Sequence, residues 1–265
     1  MHQDPFATFK AAQREGWALF APLETLTTPP AGALVTFAGV SAGARVLDVA
    51  CGTGVVAVSA ARLGAKVSAL DLAPALLERA QQNAALAAVD IEFTEGDVEA
   101  LPFADASFDI VLSQFGHMFG PQPAITVSEM LRVLKPGGRV AFSTWSPELF
   151  TGLMFSLVSR YVPPPAGVPA TVLWGDPSVV AERLGSAVSE IEFEREVMLT
   201  PCLSPQHYRS TIEATAAPLL KLVQSLSDQP DKLAQFRNEL EHLIARFTQQ
   251  NVLRQHFLMT RAYKR

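Results

Sequence analysis

From residue 45 to residue 145, short apolar runs and helical stretches take turns along the chain. VLDVA, KVSALDL, IEFTEGD, FDIVLSQF and GRVAFSTW have the length and the β-branched or aromatic content of strands. Between them VVAVSAARLG, APALLERAQQNAALA and PAITVSEMLRVL repeat their apolar positions with helical spacing, and KPGG marks the turn before the fifth strand. Strands alternating with helices of this size predict right-handed crossovers. The expected architecture is α/β, a doubly wound and mostly parallel sheet covered on both faces.

The flanks follow a different rhythm. Residues 1–40 read as a helical cap whose helices break at Pro22 and at Pro29-Pro30. After the core of residues 41–146 the pattern loosens into a segment of residues 147–251. It opens with an extended loop, YVPPPAGVP, and continues with a short helix capped by Asp176 with Pro177 at its first position. VSEIEFEREVML alternates as a strand. Two helices, at 205–226 and 231–248, form an insertion spanning about 204–249, placed where a lid would arise. A final strand lies within 252–265, in LRQHFLMTRAY. The whole is expected to be a single domain.

Composition narrows the function classes. Of 265 residues, 49% are hydrophobic and 18% charged, enough apolar material for a large core. The formal net charge of -5, with no run of Lys and Arg, argues against a nucleic-acid partner. No apolar run is long enough to span a bilayer, and the opening residues carry charges rather than a signal core. Cys51 and Cys202 are too far apart in sequence to define a disulfide framework or a metal site. The expectation is a cytoplasmic protein acting on a small molecule, without metal or membrane insertion, and with a homodimer left open.

The chemistry concentrates in VLDVACGTGVVA, residues 46–57. Gly52-Thr53-Gly54-Val55-Val56-Ala57 fits the glycine fingerprint of dinucleotide-binding folds, and Asp71 follows where an acid for ribose hydroxyls belongs. An NAD(P)-dependent oxidoreductase is one reading. Asp48 stands against it, because a carboxylate beside the turn would repel a diphosphate. The same charge suits a ligand with an ammonium group and no phosphate, such as S-adenosylmethionine. Asp48 could instead serve only to hold the turn, and Asp71 could cap the helix that begins near Pro74.

Taken together, several segments resemble a class I S-adenosylmethionine-dependent methyltransferase of the group that includes the ubiquinone and menaquinone methyltransferases. DVACGTG is similar to the family's first motif and ALDLAP to its ribose motif. EGDVEALPFADASFDIVLSQF is similar to the adenine motif with the following strand, and RVLKPGGRV to the motif before the fifth strand. The resemblance implies a Rossmann-like, seven-stranded sheet whose last strand is antiparallel, capped by helices. It implies S-adenosyl-L-methionine as cofactor, with Asp48, Ala50, Gly52, Thr53 and Gly54 around the methionine part. Asp71 would take the ribose hydroxyls, while Leu72, Asp97 and Val98 would hold the adenine. Ser113 and Gln114 would lie beside the methionyl tail. Ala50 departs from the pattern, which often has glycine there.

For catalysis, His117 in SQFGHMFGP is the candidate general base, against the alternative of a histidine that only orders its loop. Trp17, Phe115, Met118 and Phe119 are candidate substrate contacts, with Met154 and Phe155 as further apolar wall. Cys51 reads as a small turn residue rather than a nucleophile. His207 and Tyr208, on the late helical insertion, are weaker candidates for substrate contact, against the alternative of lid surface. The expected activity is methyl transfer to a small, fairly apolar molecule such as a phenol, quinol or specialised metabolite. A non-catalytic cofactor-binding module is a second alternative beside the oxidoreductase.

Overall fold

A computed structural model describes residues 4–265. Its parallel strands are β1 (Arg45–Val49), β2 (Lys66–Asp71), β3 (Ile91–Glu95), β4 (Phe108–Gln114) and β5 (Leu134–Trp145). β6 (Val188–Pro201) and β8 (Val252–Lys264) complete the sheet in the order β3-β2-β1-β4-β5-β8-β6, with the two-residue β7 (Thr248–Gln249) pairing on β8. The first five strands pair in parallel, and β8 runs antiparallel to both of its neighbours. The seven-stranded, mixed Rossmann-like sheet expected from the sequence is therefore present. Strand order reverses at β1, and the crevice beyond the carboxyl ends of β1 and β4 is where an open α/β sheet receives its ligand.

The helices α3 (Val55–Arg62), α4 (Pro74–Leu86) and α5 (Pro123–Val133) are the crossovers between parallel strands. They cover a core in which Val46, Leu47, Ile110, Val111, Leu112 and Ala141 are wholly buried. A second apolar cluster joins α6 (Phe150–Tyr161) to α8 (Pro205–Thr215), α9 (Ala217–Ser225) and α10 (Pro230–Phe247), through Phe150, Leu219, Leu222, Phe236, Leu240 and Ile244. Asp176 caps α7 (Pro177–Leu184) as expected, its carboxylate accepting the Ser178 N–H at 2.8 Å. No helix among the described residues is long and apolar enough to cross a membrane.

Two features differ from the sequence-based expectation. Pro29 and Pro30 lie inside α2 (Glu24–Phe37) rather than breaking it. The face made by Pro30, Ala31, Leu34 and Val35 is buried in the core, so tertiary packing outweighs the two backbone donors that proline removes. The first late helix, in turn, is two helices. Ala216 adopts an extended backbone (φ -100°, ψ 113°), the chain turns, and Pro218 sits in the first turn of α9, where its missing N–H costs nothing. The N-terminal α1 (Ala7–Trp17) closes against this pair: a Cβ on Gly16 would lie 2.9 Å from that of Ala217.

Candidate active site

The turn after β1 is built from left-handed residues. Ala50, Gly52 and Gly54 have φ of +53°, +56° and +77°. For Ala50 this conformation costs roughly 1–2 kcal/mol, a local strain of the kind that clusters at ligand sites. Its methyl group is clasped by Gly116, where any Cβ would come within 2.5 Å. Gly52 is needed for a different reason: a Cβ there would meet nothing, so its backbone is open to approach. Gly54 instead packs on α4, where a Cβ would come within 3.0 Å of that of Ala80.

Beyond this turn lies a cavity of about 220 Å³, many times the roughly 10–15 Å³ that one ordered water requires. At one end it meets the carboxylates of Asp48, Asp71 and Asp97. Asp48 is 1% exposed. Its Oδ2 accepts the Ala57 N–H at 3.0 Å in the first turn of α3, while its Oδ1 is buried with no partner. Burial holds its pKa well above the ordinary carboxylate range, the Ala57 bond opposes this, and the charge of Asp71 adds to it. A buried acceptor left open costs free energy unless a donor arrives. A cationic donor such as an ammonium group would satisfy this oxygen.

Asp71 ties the turn to the next helix. Its Oδ2 accepts the Gly52 N–H at 2.7 Å and its Oδ1 the Ala73 N–H at 2.9 Å, with burial again pushing its pKa up. Gln114 presents a second orphan. Its amide nitrogen donates to the Thr27 carbonyl at 2.8 Å, and its Oε1 is buried without a partner.

Asp97 is held by a residue that sequence reasoning missed. Lys10, on α1, reaches Asp97, Asp4 and Glu99 at 2.6–2.7 Å. Burial would lower the pKa of this lysine, but its hydrogen bonds to the three carboxylates outweigh it and hold the ammonium above its ordinary value. With Gln13 donating to the Phe119 carbonyl at 3.0 Å, α1 is fastened across this end of the cavity. Nothing in ATFKAAQREGW signals such a role, because two of the three partners, Asp97 and Glu99, lie far along the chain and meet Lys10 only in the fold.

The other end is apolar. Phe115, at φ +60°, stacks on Trp145 with centroids 3.9 Å apart and planes 9° from parallel. Met154, Phe155, Met198 and Ile212 line the remaining wall, and where α1 crosses the cavity Trp17 packs on Phe119 with ring centroids 4.7 Å apart.

The residues singled out by sequence thus divide. Asp48, Ala50, Gly52, Thr53 and Asp71 line the cavity, as do Leu72, Asp97, Val98 and Gln114. So do Trp17, Phe115 and Phe119 among the substrate candidates. Gly54 does not, being packed on α4, and neither does Ser113. The Ser113 hydroxyl donates to the Val49 carbonyl at 2.7 Å and accepts the His117 N–H at 3.1 Å, stitching β1 to the loop after β4. Met118 is buried in the core instead of facing a substrate. His117 is 0% exposed, between Phe142 and Trp174 with centroids at 4.6 and 4.7 Å, and both ring nitrogens lack partners. Burial, then the nearby Arg183 charge, pushes its pKa down to about 3. A neutral imidazole sealed behind the cavity wall is not placed to take a substrate proton. Cys51 lines the cavity, but burial raises its pKa well above the ordinary thiol value, as befits a turn residue. Of the two readings of Tyr208, lid surface does not hold: it is buried and lines the apolar end.

Comparison with known proteins agrees with this geometry. Residues 46–138 match the model of a methyltransferase domain. The chain is 36% identical over 256 residues to the uncharacterised protein Rv1403c of Mycobacterium tuberculosis, covering 95% of this chain and 93% of that one. Over 117 residues it is 41% identical to the demethylmenaquinone methyltransferase of Renibacterium salmoninarum, covering 44% of this chain and 48% of that enzyme. Its fold superposes with a TM-score of 0.57 on phosphoethanolamine N-methyltransferase 2 of Haemonchus contortus, solved with S-adenosylhomocysteine. That match is 18% identical and covers 89% of this chain and 52% of that one. The chain belongs to the class I S-adenosylmethionine-dependent methyltransferases.

Proposed function

We propose that this methyltransferase acts on a small, uncharged and fairly apolar molecule, of the phenol, quinol or specialised-metabolite type. The observation that carries the reading is the division of the cavity. Its carboxylates gather at the glycine turn, where Asp48 keeps an open oxygen, and its far end is lined by aromatic and aliphatic side chains. Among the described residues Lys10 is the only cationic side chain on the lining, and three carboxylates engage it. An anionic acceptor would therefore find no free counter-charge.

In this reading Asp48 Oδ1 receives the ammonium of the cofactor's methionine part, and the open backbone at Gly52 admits its close approach. Asp71 offers its remaining lone pairs to the ribose hydroxyls. Asp97 keeps one oxygen on Lys10 and offers its free lone pairs to the adenine amino group, next to Val98. The bound sulfonium supplies an activated methyl carbon, so the protein's task is to position the acceptor and exclude water. The aromatic wall and α1 do the second of these. With His117 behind the wall, no histidine among the described residues lines the cavity, and the acceptor's proton leaves to solvent or to a group on the acceptor itself.

The test is calorimetric titration of the protein with S-adenosylhomocysteine and, separately, with NADH. It is followed by transfer of a labelled methyl group to a panel of neutral phenols, quinols and anionic phenolic acids. Binding of the thioether, not NADH, with transfer to the neutral members supports the reading. Preference for the anionic acids overturns it.

A further inference from the structure

The apolar end of the cavity is interrupted by one polar cluster that cofactor chemistry does not use. Thr151 on α6, Thr200 on β6, Tyr208 on α8 and Gln255 on β8 come from four separate elements, and all four are buried. Thr151, Tyr208 and Gln255 line the cavity.

Their hydrogen bonds run through Gln255. The Thr151 hydroxyl donates to Gln255 Oε1 at 3.1 Å. The two hydrogens of Gln255 Nε2 go to Thr200 Oγ1 at 2.7 Å and to the Tyr208 hydroxyl oxygen at 3.2 Å. Both hydrogens of Gln255 are thereby used, which sets the direction of the chain of bonds. The Tyr208 oxygen accepts, so its own O–H must donate elsewhere. Among the described residues it finds no acceptor. The proton is not lost by ionisation either, since burial holds the phenol above its ordinary pKa.

Resting on the proposed function above, we infer that the Tyr208 hydroxyl donates a hydrogen bond to an oxygen on the methyl acceptor, selecting for flat molecules that carry a carbonyl. A carbonyl oxygen accepts without bringing a donor that would compete for the same site. The stacked Phe115 and Trp145, in the same lining, suit a planar ring system. Gln255 acts as a positioning residue, because it orients the phenol without offering a free hydrogen of its own.

A matched pair of ligands tests this: a hydroxytetralone and the hydroxytetralin that lacks only its carbonyl. Their affinities are measured in the presence of S-adenosylhomocysteine, for the wild-type protein, Tyr208→Phe and Gln255→Leu. The wild type should favour the ketone by about ten-fold, the size of one well-placed hydrogen bond. Tyr208→Phe should bind the two equally while holding S-adenosylhomocysteine as tightly as before. Gln255→Leu should narrow the preference in part. A wild type that does not discriminate between the two ligands, or a Tyr208→Phe protein that keeps the full preference, overturns the inference. Loss of S-adenosylhomocysteine binding by the wild type would instead strike the methyltransferase site itself, and the two failures are told apart in one titration.

Discussion

The carboxylate of Asp48 is fastened to the Ala57 N–H at 3.0 Å, and this one bond decides which of its oxygens is left over. Holding the turn and receiving a ligand are therefore not alternatives for this residue. One oxygen performs the first task, and the other is free for the second.

Asp48→Asn separates them. The amide oxygen can still accept from Ala57, so the turn survives, but the charge is gone. A charge-assisted hydrogen bond contributes about 1.5–3 kcal/mol, so affinity for S-adenosylhomocysteine should fall roughly ten- to hundred-fold by calorimetry. Unchanged affinity would remove Asp48 from the binding site.

The same residue sets a pH dependence. Its folded-state pKa is raised, so its contribution to the stability of the empty protein is full below the unfolded carboxylate value and is lost as pH rises towards the folded one. Asp48→Asn should accordingly gain melting temperature relative to the wild type as pH climbs from about 4 to 7. Binding a cation favours the ionised form, so wild-type affinity for S-adenosylhomocysteine should strengthen over that range, with proton release detectable in buffers of different ionisation enthalpy. The variant should show a shallower slope, the remainder belonging to Asp71, whose pKa is also raised.

His117→Leu should leave the rate of methyl transfer within a few-fold of wild type. The imidazole already lacks hydrogen-bond partners, so an apolar side chain of similar volume should hold or raise the melting temperature. The wild-type pH–rate profile should have no limb from this group near 6.5, since its pKa lies near 3. A hundred-fold loss of rate with retained cofactor affinity would restore His117 as a base.

Lys10→Met should loosen α1. It leaves the buried Glu99 without its cation, a change that costs about 3–5 kcal/mol where a buried pair is broken. Because α1 is a peripheral helix, local detachment should relieve this penalty. Hydrogen exchange should accelerate across Ala7–Trp17 while the sheet keeps its protection, and cofactor affinity should weaken. Uniform loss of protection across the sheet would show that Lys10 supports the whole fold.

Much of this was legible in the chain. The strands and helices from VLDVA to GRVAFSTW follow from alternating apolar periods, and the role offered to Asp48 follows from its charge beside a glycine turn. What escaped was set by geometry that no period encodes. Phe115 takes a left-handed backbone just past β4. From there Phe119 faces the cavity while His117 and Met118 are sealed in the core, and alternation cannot be carried through such a reversal. Lys10 escaped because Asp97 and Glu99, two of its three partners, are remote in sequence, and the run through Pro29 and Pro30 because core burial overrode local preference. The helix expected at 205–226 divides at Ala216 because Pro218 suits the first turn of a new helix, α9.

The placement of β8 between β5 and β6 has a consequence for biosynthesis. A chain emerging from the ribosome makes both flanking strands well before Val252–Lys264 arrives to join them. Until that stitch is made, the nascent molecule presents two raw strand edges, each a template for sticking to its neighbours. Interrupted translation or clipping upstream of Val252 should thus yield insoluble fragments rather than a smaller working enzyme.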